Sequence, residues 1–417
     1  EMRYFLKDSG ARFALTSSRE ASMLHRLHAE CPTLERIIEH GASLEFAPGS
    51  HHGEEAIEPG DDCFMLYSSG TTGRPKGVMH THRNVAASLR ALQQWWNFTP
   101  DDVLLNVLPL YHLHGLSFAV HLSLISGSRM MLEDNFLYTM DKLNDATVFM
   151  AIPTMYYDLL RRPEFRDKAK NWKRMRLFTC GSAPIRPEVL PELESILQSK
   201  LINRYGMTES HVITSLPLAG SSHPGSVGVP IGGIEMKLIT ENGTLLSAGS
   251  KLRDGSPCVG EVRIRSENLF SRYWNQPEAT KNAFDKEGFF LTGDFGALDE
   301  EGCLTLLGRK NDLIIVHGEN VYPSVVERVL NECEGVRESA VIGVPDQRSG
   351  ERVVAFVVSN GTVDAQELRR HCEEKLVHYQ RPSQFEFVGE LPRNTMGKVL
   401  KRELKAWYVS EAIHIGA

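Results

Sequence analysis

The chain has 417 residues, too many for one ordinary core, so at least two domains are expected. Its formal net charge of −7, from 46 Lys and Arg against 53 Asp and Glu, offers no basic face for nucleic acid and points to small-molecule partners. Hydrophobic content of 41% and charged content of 24% fit a soluble globular protein without low-complexity tracts or repeats.

Seven scattered cysteines (Cys31, Cys63, Cys180, Cys258, Cys303, Cys333, Cys372) contain no C-x-x-C pair, which argues against a disulfide framework or zinc ribbon. A reducing, intracellular compartment is favoured, cytoplasmic or within an organelle. His80-Thr-His82 and His112-Leu-His114 lack the Cys or Asp company expected of a metal centre. Leu104 to Gly127 is the most apolar region. Asn106, Pro109, His112, His114 and His121 interrupt it, so it reads as buried core rather than a transmembrane segment. The chain opens at Glu1 without an apolar leader or transit pattern, and reads as a piece of something longer.

Tyr4 to Phe13 has helix-like patterning and Arg12 to Thr16 reads as a short strand. Phe64 to Tyr67 has the apolar character of a buried strand, and Ser68, Ser69, Gly70, Thr71 and Thr72 follow it directly. Their backbone N–H groups can face an anion; Gly70, Gly73 and Gly77 permit close backbone approach, and Lys76 supplies a mobile charge for a polyphosphate. The spacing is neither that of G-x-x-x-x-G-K-[ST] nor that of a dinucleotide fingerprint, and a Ser/Gly turn between two strands is the alternative. Helical spacing then runs from Asn84 to Trp96. Val103 to Leu108, Arg129 to Leu132 and Thr147 to Ile152 read as strands, and their alternation with helices predicts a mostly parallel sheet covered on both faces.

Leu177 to Cys180 runs into Gly181-Ser182-Ala183-Pro184, small residues that let a ligand approach a strand end. In Asn203-Arg204-Tyr205-Gly206-Met207-Thr208-Glu209-Ser210, Tyr205 can stack on a purine, Thr208 can bond phosphate and Glu209 can help hold Mg²⁺. Gly225 to Arg265 predicts a small β subdomain, with strands at Glu235 to Ile239 and Gly260 to Arg265. Asp294 lies in a turn where its carboxylate can accept ribose hydroxyls. Gly308 to Asp312 interrupts two apolar runs with charge and marks a boundary. Beyond it, helices at Tyr322 to Leu330 and Gln366 to Leu376 interleave with strands at Ser339 to Val344 and Val353 to Val358. Lys398 sits behind Gly397 in a polar loop.

Tyr67-Ser-Ser-Gly-Thr-Thr-Gly-Arg-Pro-Lys-Gly77, Tyr205-Gly-Met-Thr-Glu209 and Leu391-Pro-Arg-Asn-Thr-Met-Gly-Lys398, in this order, closely resemble the adenylate-forming superfamily of acyl-CoA synthetases, luciferases and peptide-synthetase adenylation domains. The texture is closest to the malonyl-CoA synthetase branch, through Leu108-Pro-Leu-Tyr-His-Leu-His-Gly115, Arg176 with Gly-Ser-Ala-Pro184, Arg204-Tyr-Gly-Met-Thr-Glu209 and Asn320-Val-Tyr-Pro323. The resemblance implies an α/β fold with a large N-terminal domain of layered sheets and helices over residues 1–308, truncated at its start, and a hinge at 309–312. A small mobile α+β domain would follow over 313–417. It implies ATP, Mg²⁺ and CoA, and an acyl-adenylate made from a carboxylic acid. Arg204, Gly206, Met207 and Arg309 join the nucleotide site, Arg309 with Asp294 on the ribose, and Lys398 contacts carboxylate and phosphate during adenylation. His114, Gly115, Ile152, Cys180 and Val212 would line the acyl pocket; Asn311 and Gly318 would serve the hinge and CoA.

Three residues depart from the pattern. Pro191 stands where that branch is expected to carry an arginine for the distal carboxylate, Asn311 replaces a usual Lys or Asp, and His317 precedes Gly318 where Gly is common. Without a paired cation a second carboxylate would cost several kcal/mol to bury, so a short or medium monocarboxylic acid is expected over malonate unless Arg186, Arg204 or a histidine rescues it. The rival readings are an adenylation domain that loads a carrier protein and a truncated, non-catalytic binding relative.

Overall fold

The computed structural model describes residues 2–40, 56–68, 75–134, 136, 139–220, 223–253, 255–394 and 397–415. Backbone packing divides the chain into two units, Glu1–Arg83 with Phe270–Asn282, and Asn84–Leu269 with Ala283–Ala417.

In the first unit, strands Phe13–Ser17 and Arg36–His40 pair in parallel around helix Ser18–His28, and Leu6, Leu24, Cys31 and Leu34 form their core. A second, antiparallel sheet joins Asp62–Ser68, Lys76–Thr81 and Arg272–Tyr273. Ser68 pairs with Lys76 across it, and residues 69–74 lie outside the described residues. The Gly-rich stretch is therefore flanked by two strands, and the helix His82–Trp95 begins only after the second of them. Tyr4 donates to the Pro75 carbonyl at 2.7 Å and Tyr67 to Asp8 at 2.7 Å, which ties both flanks to the first helix, Met2–Ser9.

The second unit is built on a seven-stranded sheet. Leu201–Met207, Leu177–Cys180, Val148–Ala151, Val103–Asn106 and Arg129–Leu132 run parallel as neighbours, and His211–Ser215 and Val229–Pro230 add antiparallel strands beyond Leu201–Met207. The three central strands are buried at every residue, which is why their sequences read as unbroken apolar runs rather than alternating ones. Phe149, Tyr156, Phe165, Trp172 and Phe178 fill one face. An antiparallel five-stranded sheet, centred on Gly260–Arg265 and ending in Phe290–Leu298 and Leu304–Arg309, realises the expected β subdomain. After it, Gly350–Ser359 pairs with Val336–Asp346, Ile314–Val316 and Gln384–Phe387. Helices Pro323–Asn331 and Ala365–Lys375 cover one face of this last sheet, and helix Lys401–Ile415 packs Leu404 and Tyr408 on the other. The hairpin between Ile314–Val316 and Glu319–Val321 turns on His317 and Gly318 with φ of 53° and 85°. Two consecutive positive φ values make the tight turn that matches strand twist, and His317 adopts it without glycine's freedom.

One expectation is corrected. Leu104 to Gly127 is not wholly core: Leu105, Phe118 and Leu122 are buried, but Tyr111 and Leu124 are 62% and 74% exposed. The cause is local geometry. Residues His114–His121 form a wide π-helical turn continued by helix Leu122–Ser126, so the apolar run winds over the sheet and turns one face away from it. No helix among the described residues is long and apolar enough to cross a membrane.

Three neighbouring parallel strands are clamped at their amino ends. Asp102, 2% exposed, accepts from Arg176 Nε and Nη2 at 2.7 and 2.6 Å, from Thr147 Oγ1 at 2.7 Å and from the Thr99 N–H at 2.9 Å. Burial alone would raise this carboxyl, but the bonds from Arg176 and Thr147 outweigh it and hold it below the ordinary range. Arg176→Ala leaves Asp102 buried without its cation, and urea denaturation is expected to show a loss of about 3–5 kcal/mol. Because the folded pKa is depressed, the clamp's contribution is present above the unfolded value of about 3.9 and fades as pH falls through the folded one.

Candidate active site

The carboxyl ends of the parallel strands carry the loops that gather the predicted residues. After Cys180 the chain enters Gly181, where a Cβ would lie 2.8 Å from Arg204 Cζ, so a side chain here would have to displace the Arg204 guanidinium. Ser182 follows in the left-handed region at φ 70° and brings its Oγ within 3.2 Å of His114 Nδ1. Such strain, of order 1–3 kcal/mol, persists only where the surroundings over-determine it.

Strand Leu201–Met207 divides the site. Successive side chains leave a strand on opposite faces. Tyr205 projects toward the β subdomain and its hydroxyl donates to Asp294 Oδ2 at 2.5 Å. Asp294 and Arg309 are register partners in adjacent strands, and Arg309 Nε donates to Asp294 Oδ1 at 3.1 Å. Both carboxylate oxygens thus have one partner from the protein and retain lone-pair directions for ligand hydroxyls. Burial works against charge on Arg309, yet Asp294 and Tyr205 outweigh it and raise its pKa. Lys398 lies in the same field. Its own burial, then Arg309, lowers it to about 8, against a smaller opposing pull from Asp294 and Asp312.

Arg204 takes the other face. It is 4% exposed, its guanidinium lies 4.7 Å from the centre of the Phe118 ring, and its Nε and Nη2 find no acceptor among the described residues. Burial lowers its pKa to about 10, which still leaves it charged at neutral pH. Cys180, also fully buried, is pushed up to about 12 and stays a thiol. Burial, then Arg204 and His112, drives His114 well below its ordinary value, so it is neutral. Its Nδ1 pairs with Ser182 Oγ; in the tautomer where Ser182 donates, the ring proton lies on Nε2, and Nε2 has no partner among the described residues. Among the described residues these three nitrogens lack partners, and Arg204 and His114 both lie against Phe118; Gly115, Ile152, Cys180 and Val212 are all buried.

Thr208 and Glu209 occupy the turn between Leu201–Met207 and His211–Ser215, with Glu209 8% exposed. A hydroxyl and a buried carboxylate are hard oxygen donors that suit Mg²⁺. Asn311 lies in the single turn Lys310–Asp312 after Arg309, and Gly318 in the hairpin described above. In the first unit Lys76 holds its Nζ 4.7 Å from the Tyr273 ring centre; Ser69, Gly70, Thr71 and Thr72 lie outside the described residues. The resemblance puts Arg204 with Tyr205 at the nucleotide and also offers Arg204 to a second carboxylate; the pleat sends the two side chains to opposite faces. Sequence reasoning overlooked Phe118 and the Tyr205–Asp294 bond. The alternation of a strand through Asn203 to Met207 was the available signal for the first; no local pattern announces the second.

Asp294→Ala removes the acceptor shared by Tyr205 and Arg309. Calorimetric titration is expected to show ATP or AMP bound about 2–3 kcal/mol more weakly, the size of lost charge-assisted hydrogen bonds. Unchanged affinity would remove Asp294 from the nucleotide site.

The AMP-binding enzyme family model matches residues 1–274, and the AMP-binding enzyme C-terminal domain model matches 325–398. The malonate–CoA ligase of Arabidopsis thaliana is 34% identical over 91% of this chain and 66% of its own length. The mitochondrial malonate–CoA ligase of Bos taurus is 33% identical over 97% of this chain and 74% of its own length. The ATP-bound crystal structure of MatB from Rhodopseudomonas palustris superposes with a TM-score of 0.89 at 35% identity, covering 98% of this chain and 81% of that one. Matched by this family along most of its length, and similar in sequence and structure to named CoA ligases, the chain belongs to the adenylate-forming AMP-binding enzymes, in their acid–CoA ligase branch.

Proposed function

We propose that this enzyme activates a small dicarboxylic acid of the malonate type with ATP and passes it to CoA. One carboxylate oxygen attacks the α-phosphorus as the bond to pyrophosphate breaks; the CoA thiolate then attacks the acyl carbon and AMP leaves. The observation that carries the choice of acid is Arg204, a buried cation whose Nε and Nη2 lack an acceptor among the described residues. Isolated, such a charge costs several kcal/mol, and a second carboxylate accepting from Arg204 and His114 Nε2 offsets it. That some similar ligases are named for malonate supports this reading. It replaces the expectation of a monocarboxylic acid, which rested on the lack of a paired cation at Pro191. Arg186 does not fill that gap, since its Nη1 donates to the Arg337 carbonyl.

In this reading Tyr205 packs the base and Asp294 with Arg309 holds the ribose. Lys76, Thr71 and Thr72, with Ser68, Ser69 and Gly70, neutralise the phosphates, and Gly181 to Pro184 with Gly206 and Met207 wall the nucleotide. Thr208 and Glu209 would hold Mg²⁺, which would supply positive charge to the phosphate oxygens. Lys398 stabilises charge developing between carboxylate and α-phosphate, so catalysis is positioning and preorganised electrostatics. Residues 309–312 act as the hinge between 1–308 and 313–417, with Asn311 and Gly318 serving the thioester step. Seven free cysteines support work in a reducing compartment, cytoplasmic or organellar.

Comparing kcat/KM for malonate, butyrate, octanoate and a cinnamate-type acid tests the substrate. Malonate should lead by tenfold or more, about 1.4 kcal/mol, and Arg204→Leu should abolish or reverse that lead. Equal use of butyrate by the unaltered enzyme would overturn the reading.

Lys398 acts in its charged form, and its free-enzyme pKa is about 8. Adenylation kcat/KM for ATP should therefore fall as pH rises through about 8. Lys398→Arg should carry that limb out of range. Lys398→Ala should cost a few orders of magnitude, roughly 10²–10³, while thioester formation from supplied acyl-adenylate persists.

A further inference from the structure

We infer that Arg186 is a positioning residue for adenylation: it latches the loop that carries Lys398 onto the substrate-binding part of the fold. The inference rests on the reading of Lys398 given above. Arg186 follows Gly-Ser-Ala-Pro184, and both its backbone and side chain are fixed by Tyr157. Its N–H donates to Tyr157 Oη at 2.9 Å, and its guanidinium lies 4.6 Å from that ring's centre. From there Nη1 reaches the carbonyl of Arg337, at the start of strand Val336–Asp346.

The next residue continues the connection. Glu338 pairs with Arg393, and Arg393 Nη1 donates to the Gly397 carbonyl at 2.6 Å. Lys398 follows immediately, its N–H held by Asn394 Oδ1 at 2.9 Å. Gly397 takes φ 74°, and a Cβ there would lie 2.8 Å from Thr154 Cγ2. Thr154 and Tyr157 are three residues apart on helix Pro153–Leu160, hence on one face. That face seats the Lys398 loop at two points, directly under Gly397 and through the Arg186 bond to Arg337.

A latch of this kind favours the arrangement in which the half-buried Lys398 feels the charges of Arg309 and Asp294. It does nothing for thioester formation, which by the same reading does not use Lys398. A structural prop would instead serve both steps alike.

The test measures the two half-reactions separately in Arg186→Ala and Arg186→Lys: acid-dependent exchange of labelled pyrophosphate into ATP, and transfer of a supplied acyl-adenylate to CoA. Arg186→Ala should slow exchange about tenfold, the scale of one hydrogen bond to a charged group, with the KM for ATP unchanged. Transfer to CoA should hold or rise, and Arg186→Lys should recover part of the loss. The alkaline limb of exchange should move to higher pH, because a loosened loop exposes Lys398 to water. Glu338→Gln should behave like Arg186→Ala, and the double variant should be no worse than either, which keeps the inference testable if Arg186→Ala folds poorly. Equal slowing of both half-reactions, or no slowing of either, overturns it. Lys398→Ala run alongside separates the two levels: if exchange survives that change, the reading of Lys398 fails rather than the latch.

Discussion

The pleat of one buried strand organises this molecule. Leu201–Met207 is the last of five parallel strands, pairs on its far side with an antiparallel one, and alternates its side chains between two faces. Tyr205 turns toward Asp294 and Arg204 toward Phe118, so two polar sites share one stretch of backbone without competing for its groups. A slip of one residue in this strand would exchange them and leave Arg204 facing Arg309. Arg176 and Asp102 resist distortion of the sheet from the opposite edge, tying its neighbouring strands at their amino ends.

Three cations lie in or near this site, and their surroundings give each a different capacity. Arg309 is neutralised by Asp294 across a strand pair, so it is a fixed donor. Lys398 has burial and Arg309 against its charge and only weaker opposition from Asp294 and Asp312, so it titrates close to neutrality. Arg204 has no carboxylate partner among the described residues and remains charged because a guanidinium gives up its proton so reluctantly. A buried charge left in that state favours whatever anion can reach it. In the proposed reading the three roles separate accordingly: one cation orients, one responds to pH, and one selects.

Much of the fold was legible because burial on both faces leaves an unmistakable apolar run. Val103–Asn106, Val148–Ala151 and Leu177–Cys180 were read within two residues of their ends, as were helices Pro323–Asn331 and Ala365–Lys375, whereas helix Lys401–Ile415 was not. The hairpin Asp62–Ser68 with Lys76–Thr81 was foreseen only as an alternative, since a hydroxyl-rich loop masks the strand that follows it. The π-helical turn at His114–His121 was not foreseen, because a single widened turn leaves no periodicity to detect. In the site, Tyr205, Asp294 and Lys398 were found through motifs, each by its own neighbourhood. The bond between Tyr205 and Asp294 joins residues 89 positions apart, and Lys398 feels the charge of Asp294 from farther still along the chain, which no local pattern encodes. Arg186 shows the same limit: its spacing marked it as a pocket candidate, while the fold gives it the Arg337 carbonyl.

A crystal structure with a non-hydrolysable malonyl-adenylate analogue tests the two-faced strand most directly. The account predicts the base against Tyr205, the ribose hydroxyls on Asp294, and the distal carboxylate across the strand, accepting from Arg204 Nε and Nη2 and from His114 Nε2. A distal carboxylate left in solvent, or bound on the Tyr205 face with Arg204 still lacking an acceptor, would contradict it.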